Sequence, residues 1–484
     1  MSDTTRAVGT TQKVTLLTLA AMVVGSMVGG GVFTLPGEFG SASGVLGSLV
    51  AWTIAGAGML TLALVFQSLA IRRPDLDSGI YIYAQAGFGN FAGFNAAWGY
   101  WASNVVGNVF YLTFAMAGIG AFVPGLSRGT TVLAVVCSSA LIWVFHVLIL
   151  RGIRTATGIN RIVTAAKLIP ILMFIVLCAV SFDAGVFAEN ISGTTDGSGP
   201  SLFTQVSDTM VITAFVFLGI EGASVYSRLA ARREDIGRAT VLGLLSTLAL
   251  FSSVTLVSYG VLPQKDLASA EAPSMGAVLE AAVGPWGATL IDVGLVVSVF
   301  GAYLAWTLLN AEVMFMPART EIMPRFLKVE NSRGVPVAAL VTTNVAVQVF
   351  LLLVLVVNDA LDFMLSLDVA LTLVPYLLAA GFAVKLCLTR ETYPPGAEGE
   401  RRKHLTIGVI AVLYSLFLIY AAGPEFLLLG CLIYAPGIGL YVLSRRERRQ
   451  RVFTPAEAVA AVVLVAAAGL GVFLLVTGGI DITA

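Results

Sequence analysis

Uninterrupted apolar runs such as Val132 to Leu150 and Leu242 to Leu262 leave this chain very little choice of fold. Each is about as long as the ~20-residue helix that crosses the hydrocarbon core of a bilayer. Lipid cannot satisfy a backbone N–H or C=O, so a spanning segment must be a helix unless the chain closes into a barrel. Barrel strands alternate polar and apolar over about 10 residues, and these runs do not alternate. The residue content agrees: 57% is hydrophobic and 12% charged, against roughly 25% charged in an average soluble domain. The expected class is an all-α membrane protein.

Thirteen such spans fall between residues 15 and 477, and they sort the charge. With the N-terminus placed in the cytoplasm, all but three of the 28 basic residues lie in loops on the cytoplasmic side. The exceptions are Arg128, Lys265 and Lys167, the last inside a span. Short basic loops resist translocation, so this bias favours the orientation. After an odd number of spans the C-terminus is expected outside. The polar start, Met1 to Lys13, leads into an apolar run without a small-residue cleavage site, so the first helix is expected to stay. Cys137, Cys178, Cys387 and Cys431 all sit in apolar stretches without metal or redox spacing and read as small core residues.

No segment resembles a soluble domain, and the stretch from Asp183 to Gln205 reads as an irregular external loop. Membrane folds built from inverted repeats often break the first helix of each repeat at the bilayer midplane. Here Gly25, Gly29, Gly30 and Gly31 interrupt the first span before Pro36, and Phe217-Leu218-Gly219-Ile220-Glu221-Gly222 lies in the sixth. Spans one and six are five apart. The expected organisation is a tail at 1–14, one repeat over 15–182, a second over 206–386, and appended helices over 405–477. Three readings of the glycine run compete. A phosphate-cradling loop needs a strand before it and water around it. The Gly25/Gly29 pair also fits small-residue helix packing. Three consecutive glycines favour an unwound segment, since each weakens a helix and bares backbone groups for a ligand.

Gly29-Gly30-Gly31-Val32-Phe33 with Leu35-Pro36, Phe217 to Ala223, and Trp306-Thr307-Leu308-Leu309 resemble the first-, sixth- and eighth-helix motifs of the amino acid-polyamine-organocation superfamily. Within it they resemble the basic amino acid antiporters. The segment Glu221 to Arg228, together with Gly30 where arginine/agmatine exchangers usually hold Ser, is most similar to arginine/ornithine antiporters and lysine permeases. The resemblance runs from about residue 13 to 445. It implies a core of inverted five-helix repeats with helices one and six broken, usually within twelve helices; the thirteenth span departs from that number.

The resemblance also implies a site. N–H groups around Gly29, Gly30 and Gly31, at a half-helix N-terminus, would take a substrate carboxylate, and carbonyls freed near Gly219 would take its ammonium. Asn108 would hydrogen-bond the cationic side chain, Trp306 would offer an aromatic face worth roughly 0.5–2 kcal/mol, and Phe215 would act as a gate. Each has a plainer reading as packing or interhelical contact. Glu221, a carboxylate inside an apolar helix, is costly there and usually functional. Its implied role is cation recognition or proton sensing, with a purely structural role as the alternative. Lys167 stands where some sodium-independent relatives place an amine in lieu of sodium; alternatively it snorkels to the interface. Glu312 and Asp368, in spans eight and ten, are candidates to touch the pathway, whereas Asp292 reads as solvated near a helix end. His146 reads as a packed neutral histidine.

What the resemblance implies overall is exchange of arginine for ornithine, with lysine as a further substrate, by alternating access in the cell membrane. A proton-coupled lysine or arginine permease using Glu221 or Lys167 stays open. An enzyme is disfavoured, because no span offers paired His ligands or a Ser-His-Asp set. A channel would show passive flux independent of the far side. Membrane lipid is the expected surrounding, nucleic acid, metal and cofactor are not expected, and a homodimer is left open.

Overall fold

The structure, a computed structural model, describes residues 15–76, 79–151, 157–193, 200–221 and 233–480. The expected tail at 1–14 and the end of the sixth-span motif, Gly222 to Arg228, lie outside them. Among the described residues every expected span corresponds to helix over most of its length. The first is split into α1 (Leu16–Met27) and α2 (Leu35–Ala42), followed by α3 (Val45–Arg72), a short α4 (Ile80–Phe88) and α5 (Asn90–Gly120). Next come α6 (Val132–Leu150), α7 (Thr157–Val180), α8 (Leu202–Val216), α9 (Arg233–Ser258), a short α10 (Ser274–Val283) and α11 (Pro285–Arg319). The chain continues with α12 (Val337–Leu353), α13 (Ala360–Thr389), α14 (Glu398–Ala422), α15 (Pro424–Glu447) and α16 (Pro455–Thr477). Among the described residues, nine of these are long and apolar enough to cross a membrane by themselves.

Local sequence fixes where the helices start. Thr131 and Ser201 accept from the third residue beyond them, at 3.1 and 3.2 Å, at the heads of α6 and α8. Thr454 and Glu457 close a reciprocal capping box at the head of α16. Two corners match. A short helix meets a long one through a single glycine at Gly89 (φ 95°, ψ −178°) and again at Gly284 (φ 93°, ψ −178°), a conformation side chains rarely adopt. The first joins α4 to α5 and the second α10 to α11.

Burial grades from the centre outward. In α5 94% of the most apolar window is buried, in α13 72%, and in the last helix α16 17%. Helix α5 packs against α11, α12 and α13, while α1 packs on α9 and α15 on α16. The outward faces carry Val136, Val180, Leu413 and Val476, all exposed. Such a surface suits lipid and not water.

Two expectations need correction. The stretch after Asp183 is not wholly irregular: Asp183 caps a short helix, Ala184–Glu189, and Asn190 docks onto the end of α9 through Tyr259 O (2.7 Å) and Leu262 O (2.9 Å). Asp292 is buried rather than solvated, because α10 folds back over the first turns of α11 and brings Gly276 beside it.

Candidate functional site

Helix α1 stops where the glycines begin. Val28 still closes its N–H onto Val24 O at 2.8 Å, but its own ψ of 96° leaves the helical region. One 3-10 turn, Gly31–Phe33, follows before α2 starts with Pro36 in its first turn. The break frees carbonyls, and Lys167 of α7 collects two of them: its Nζ donates to Gly25 O and Val28 O, both at 3.0 Å. Lys167 is 6% exposed, so its ammonium faces the break instead of snorkelling to an interface.

The second break faces the first. Helix α8 ends at Val216, and Gly219 takes φ 101°. A Cβ there would stand 2.7 Å from Ser26 O, so both the turn and the close approach require glycine. The Ser26 hydroxyl, 3.1 Å from Gly219 O and 2.8 Å from Val23 O, ties the two interruptions together. Two residues on lies Glu221, 5% exposed. The hydroxyls of Tyr100 on α5 and Tyr376 on α13 donate to its two oxygens, and the Gly219 N–H donates to Oε2 at 3.2 Å. By helical rise Tyr100 is about 6 Å along α5 from Asn104, and Tyr376 about 12 Å along α13 from Asp368, both toward the end that bears Arg72 and Arg390.

Between the breaks lies a small cavity with about 30 Å³ of open space, room for a water or two and not for a whole amino acid in this conformation. Four of the residues expected from sequence line it: Gly29, Gly31, Phe215 and Trp306. The Phe215 ring packs edge-on to Phe110 with centroids 5.0 Å apart, and it presses so near the backbone that a Cβ on Gly31 would lie 2.8 Å from it. Gly30, Asn108, Gly219, Glu221 and Lys167 surround the cavity without lining it. Asn108 is fully buried one layer back, its Nδ2 donating to Thr307 Oγ1 on α11 at 3.3 Å. Sequence reasoning missed Asn104, Gly107 and Tyr111 on α5 as lining residues. Of the two extra carboxylates singled out, Asp368 lines the cavity, whereas Glu312 is exposed and turns away from it.

This arrangement presents both signs of polarity to one small space. The amides of residues 29 to 32 stand outside the ladder of α1, at the head of the turn leading into α2, where N–H groups and the helix dipole suit an anion. Across the cavity stand the half-buried face of Trp306 and the Asp368 carboxylate, which suit a cation. A zwitterion with a positive side chain matches both ends.

Residues 14–425 match the family of amino acid permeases. The chain is similar to the arginine/ornithine antiporter of Pseudomonas aeruginosa, 46% identical over 95% of this chain and 97% of the relative. It is likewise similar to the L-lysine transport protein of Corynebacterium glutamicum, 40% identical over 98% of each. The arginine/agmatine antiporter of Chlamydia abortus is 35% identical over 95% of this chain and 96% of its own. Near-complete coverage at these identities, together with two facing helix breaks around one cavity, leads to one conclusion: the chain belongs to the amino acid permease family.

Proposed function

We propose that this protein exchanges cationic amino acids, arginine for ornithine with lysine as a further substrate, by alternating access around the cavity between the two breaks. The observation that carries this reading is the pairing of the amides at residues 29 to 32 with Trp306 and a carboxylate around one small cavity, in a chain this similar to an arginine/ornithine antiporter. Arginine and ornithine carry the same net charge, so their exchange moves none and is driven by the two substrate gradients alone.

The organisation we propose is two inverted five-helix repeats, 15–182 and 206–386, with the helices of 405–477 appended. The matched glycine corners support it, since Gly89 enters the third span and Gly284 the eighth, again five apart. We place the protein in the cell membrane with the basic loops in the cytoplasm and the C-terminus outside, on the charge bias of those loops. In that orientation the Glu221 cluster closes the cytoplasmic side of the cavity.

The test is uptake of labelled arginine by purified protein in liposomes loaded with ornithine or with buffer. Ornithine-loaded vesicles are expected to take up arginine at least tenfold faster; equal rates would refute exchange. A second reading, proton-coupled uptake of lysine or arginine, is favoured by the buried Lys167 at the first break and by the similarity to a lysine transport protein. It requires uptake into empty vesicles under an imposed proton gradient.

The crowding at Gly31 gives a further prediction. Gly31→Ala pushes the Phe215 ring toward the cavity, and overpacking of this kind costs about 1–3 kcal/mol, so arginine should bind about tenfold more weakly. The double variant G31A/F215A, which removes the ring, should recover part of the loss. Unchanged binding in Gly31→Ala would disprove the steric account.

A further inference from the structure

Asp368 is 5% exposed, and its Oδ1 has no hydrogen-bond partner among the described residues. A buried carboxylate left half-satisfied is expensive unless a cation or a proton completes it. The other charged groups near the breaks are already engaged: Glu221 holds Tyr100, Tyr376 and the Gly219 amide, and Lys167 holds the Gly25 and Val28 carbonyls. Among the described residues no basic side chain forms a salt bridge with Asp368.

The helix facing Asp368 is shaped to receive it. A Cβ on Gly107 would lie 2.7 Å from Oδ2, so α5 admits the carboxylate only because glycine stands there. Asn104 and Tyr111, a turn to either side of Gly107, line the same cavity. The Nδ2 of Asn104, at 7% exposure, is likewise without a partner among the described residues. One turn along α13 from Asp368, the Thr372 hydroxyl donates to Ser103 Oγ on α5 at 2.7 Å.

We propose that Asp368 is the residue that reads the positive charge of the substrate side chain, its carboxylate turning to accept from the guanidinium or ammonium while Trp306 covers the same group. The proposal rests on the cationic-substrate reading and assigns its selectivity to one carboxylate. It also moves cation recognition from Glu221, which lies outside the cavity, to α13. An empty site holds an unpaired acceptor, and a cationic amino acid supplies the missing donor, so a neutral analogue of the same shape is rejected for leaving that acceptor bare.

The experiment measures binding of arginine and of citrulline, its uncharged near-isostere, to purified wild-type protein, Asp368→Asn and Gly107→Ala. Wild type is expected to prefer arginine strongly. Asp368→Asn should weaken arginine binding about ten- to hundredfold while citrulline binding holds or improves, so that the preference collapses. Gly107→Ala, which displaces the carboxylate without removing it, should erode the preference in the same direction by a smaller factor, and it decides the matter if the Asn variant does not fold. An arginine preference that survives in a folded variant, or losses of both ligands in equal proportion, would overturn the assignment and leave the exchange reading standing. Wild type that binds neither arginine, ornithine nor lysine would instead remove the cationic-substrate reading, and this inference with it.

Discussion

Glu221→Ala is expected to eliminate arginine exchange and to lower the melting temperature of the purified protein by several degrees. The carboxylate is the common acceptor for Tyr100, Tyr376 and the Gly219 amide, groups belonging to three different segments. Its removal strands three buried donors, each worth about 1–3 kcal/mol when left bare. Even with water relieving part of that cost, a loss of about 3 kcal/mol follows. Tyr376→Phe deletes one donor together with its need, so its effect on melting should be far smaller. Gln at 221 keeps one carbonyl acceptor and should fall between. A melting temperature for the Ala variant equal to wild type would show that the cluster does not hold these segments together.

Lys167→Met should reduce exchange at least tenfold in protein that still folds. Methionine fills nearly the same volume but offers no donor, so the carbonyls of Gly25 and Val28 lose the partner that holds the broken end of α1. The amides of residues 29 to 32 follow directly on that end, and misplacing them even slightly would degrade the site we propose for the substrate carboxylate. Initial rates per unit of folded protein are the readout. A rate within twofold of wild type would mean the first break keeps its shape without the amine.

Most of the fold was legible because its strongest signal, apolar length, is also what decides it. The runs from Val132 and from Leu242 could only be spanning helices, and three consecutive glycines at 29 to 31 could hardly continue one. The short helices α4 and α10 were not legible. At nine and ten residues they fall well below spanning length, and they are set by corners at Gly89 and Gly284 that look in sequence like any other loop glycine.

The lining of the cavity was legible where backbone breaks or a lone aromatic marked it, as at Gly29, Gly31, Phe215 and Trp306. It was not legible along α5, for a physical reason. Because 94% of that helix's most apolar window is buried, no contrast between a wet and a dry face singles out Asn104, Gly107 and Tyr111, and Asn108 carries the same sequence signal while facing Thr307. Asp368 stood out as a carboxylate in an apolar span, but only the packing of α13 against α5 turns it toward the cavity. Glu312 gave an equally strong signal and is exposed.

Counting both partners of the exchange tests the central claim most directly: liposomes loaded with one isotope-labelled ornithine, given arginine carrying a different label outside, with both followed over time. The account predicts about one ornithine released for each arginine taken up, and negligible release when no arginine is outside. Arginine accumulating without ornithine leaving, or ornithine leaking at the same rate into arginine-free buffer, would contradict it.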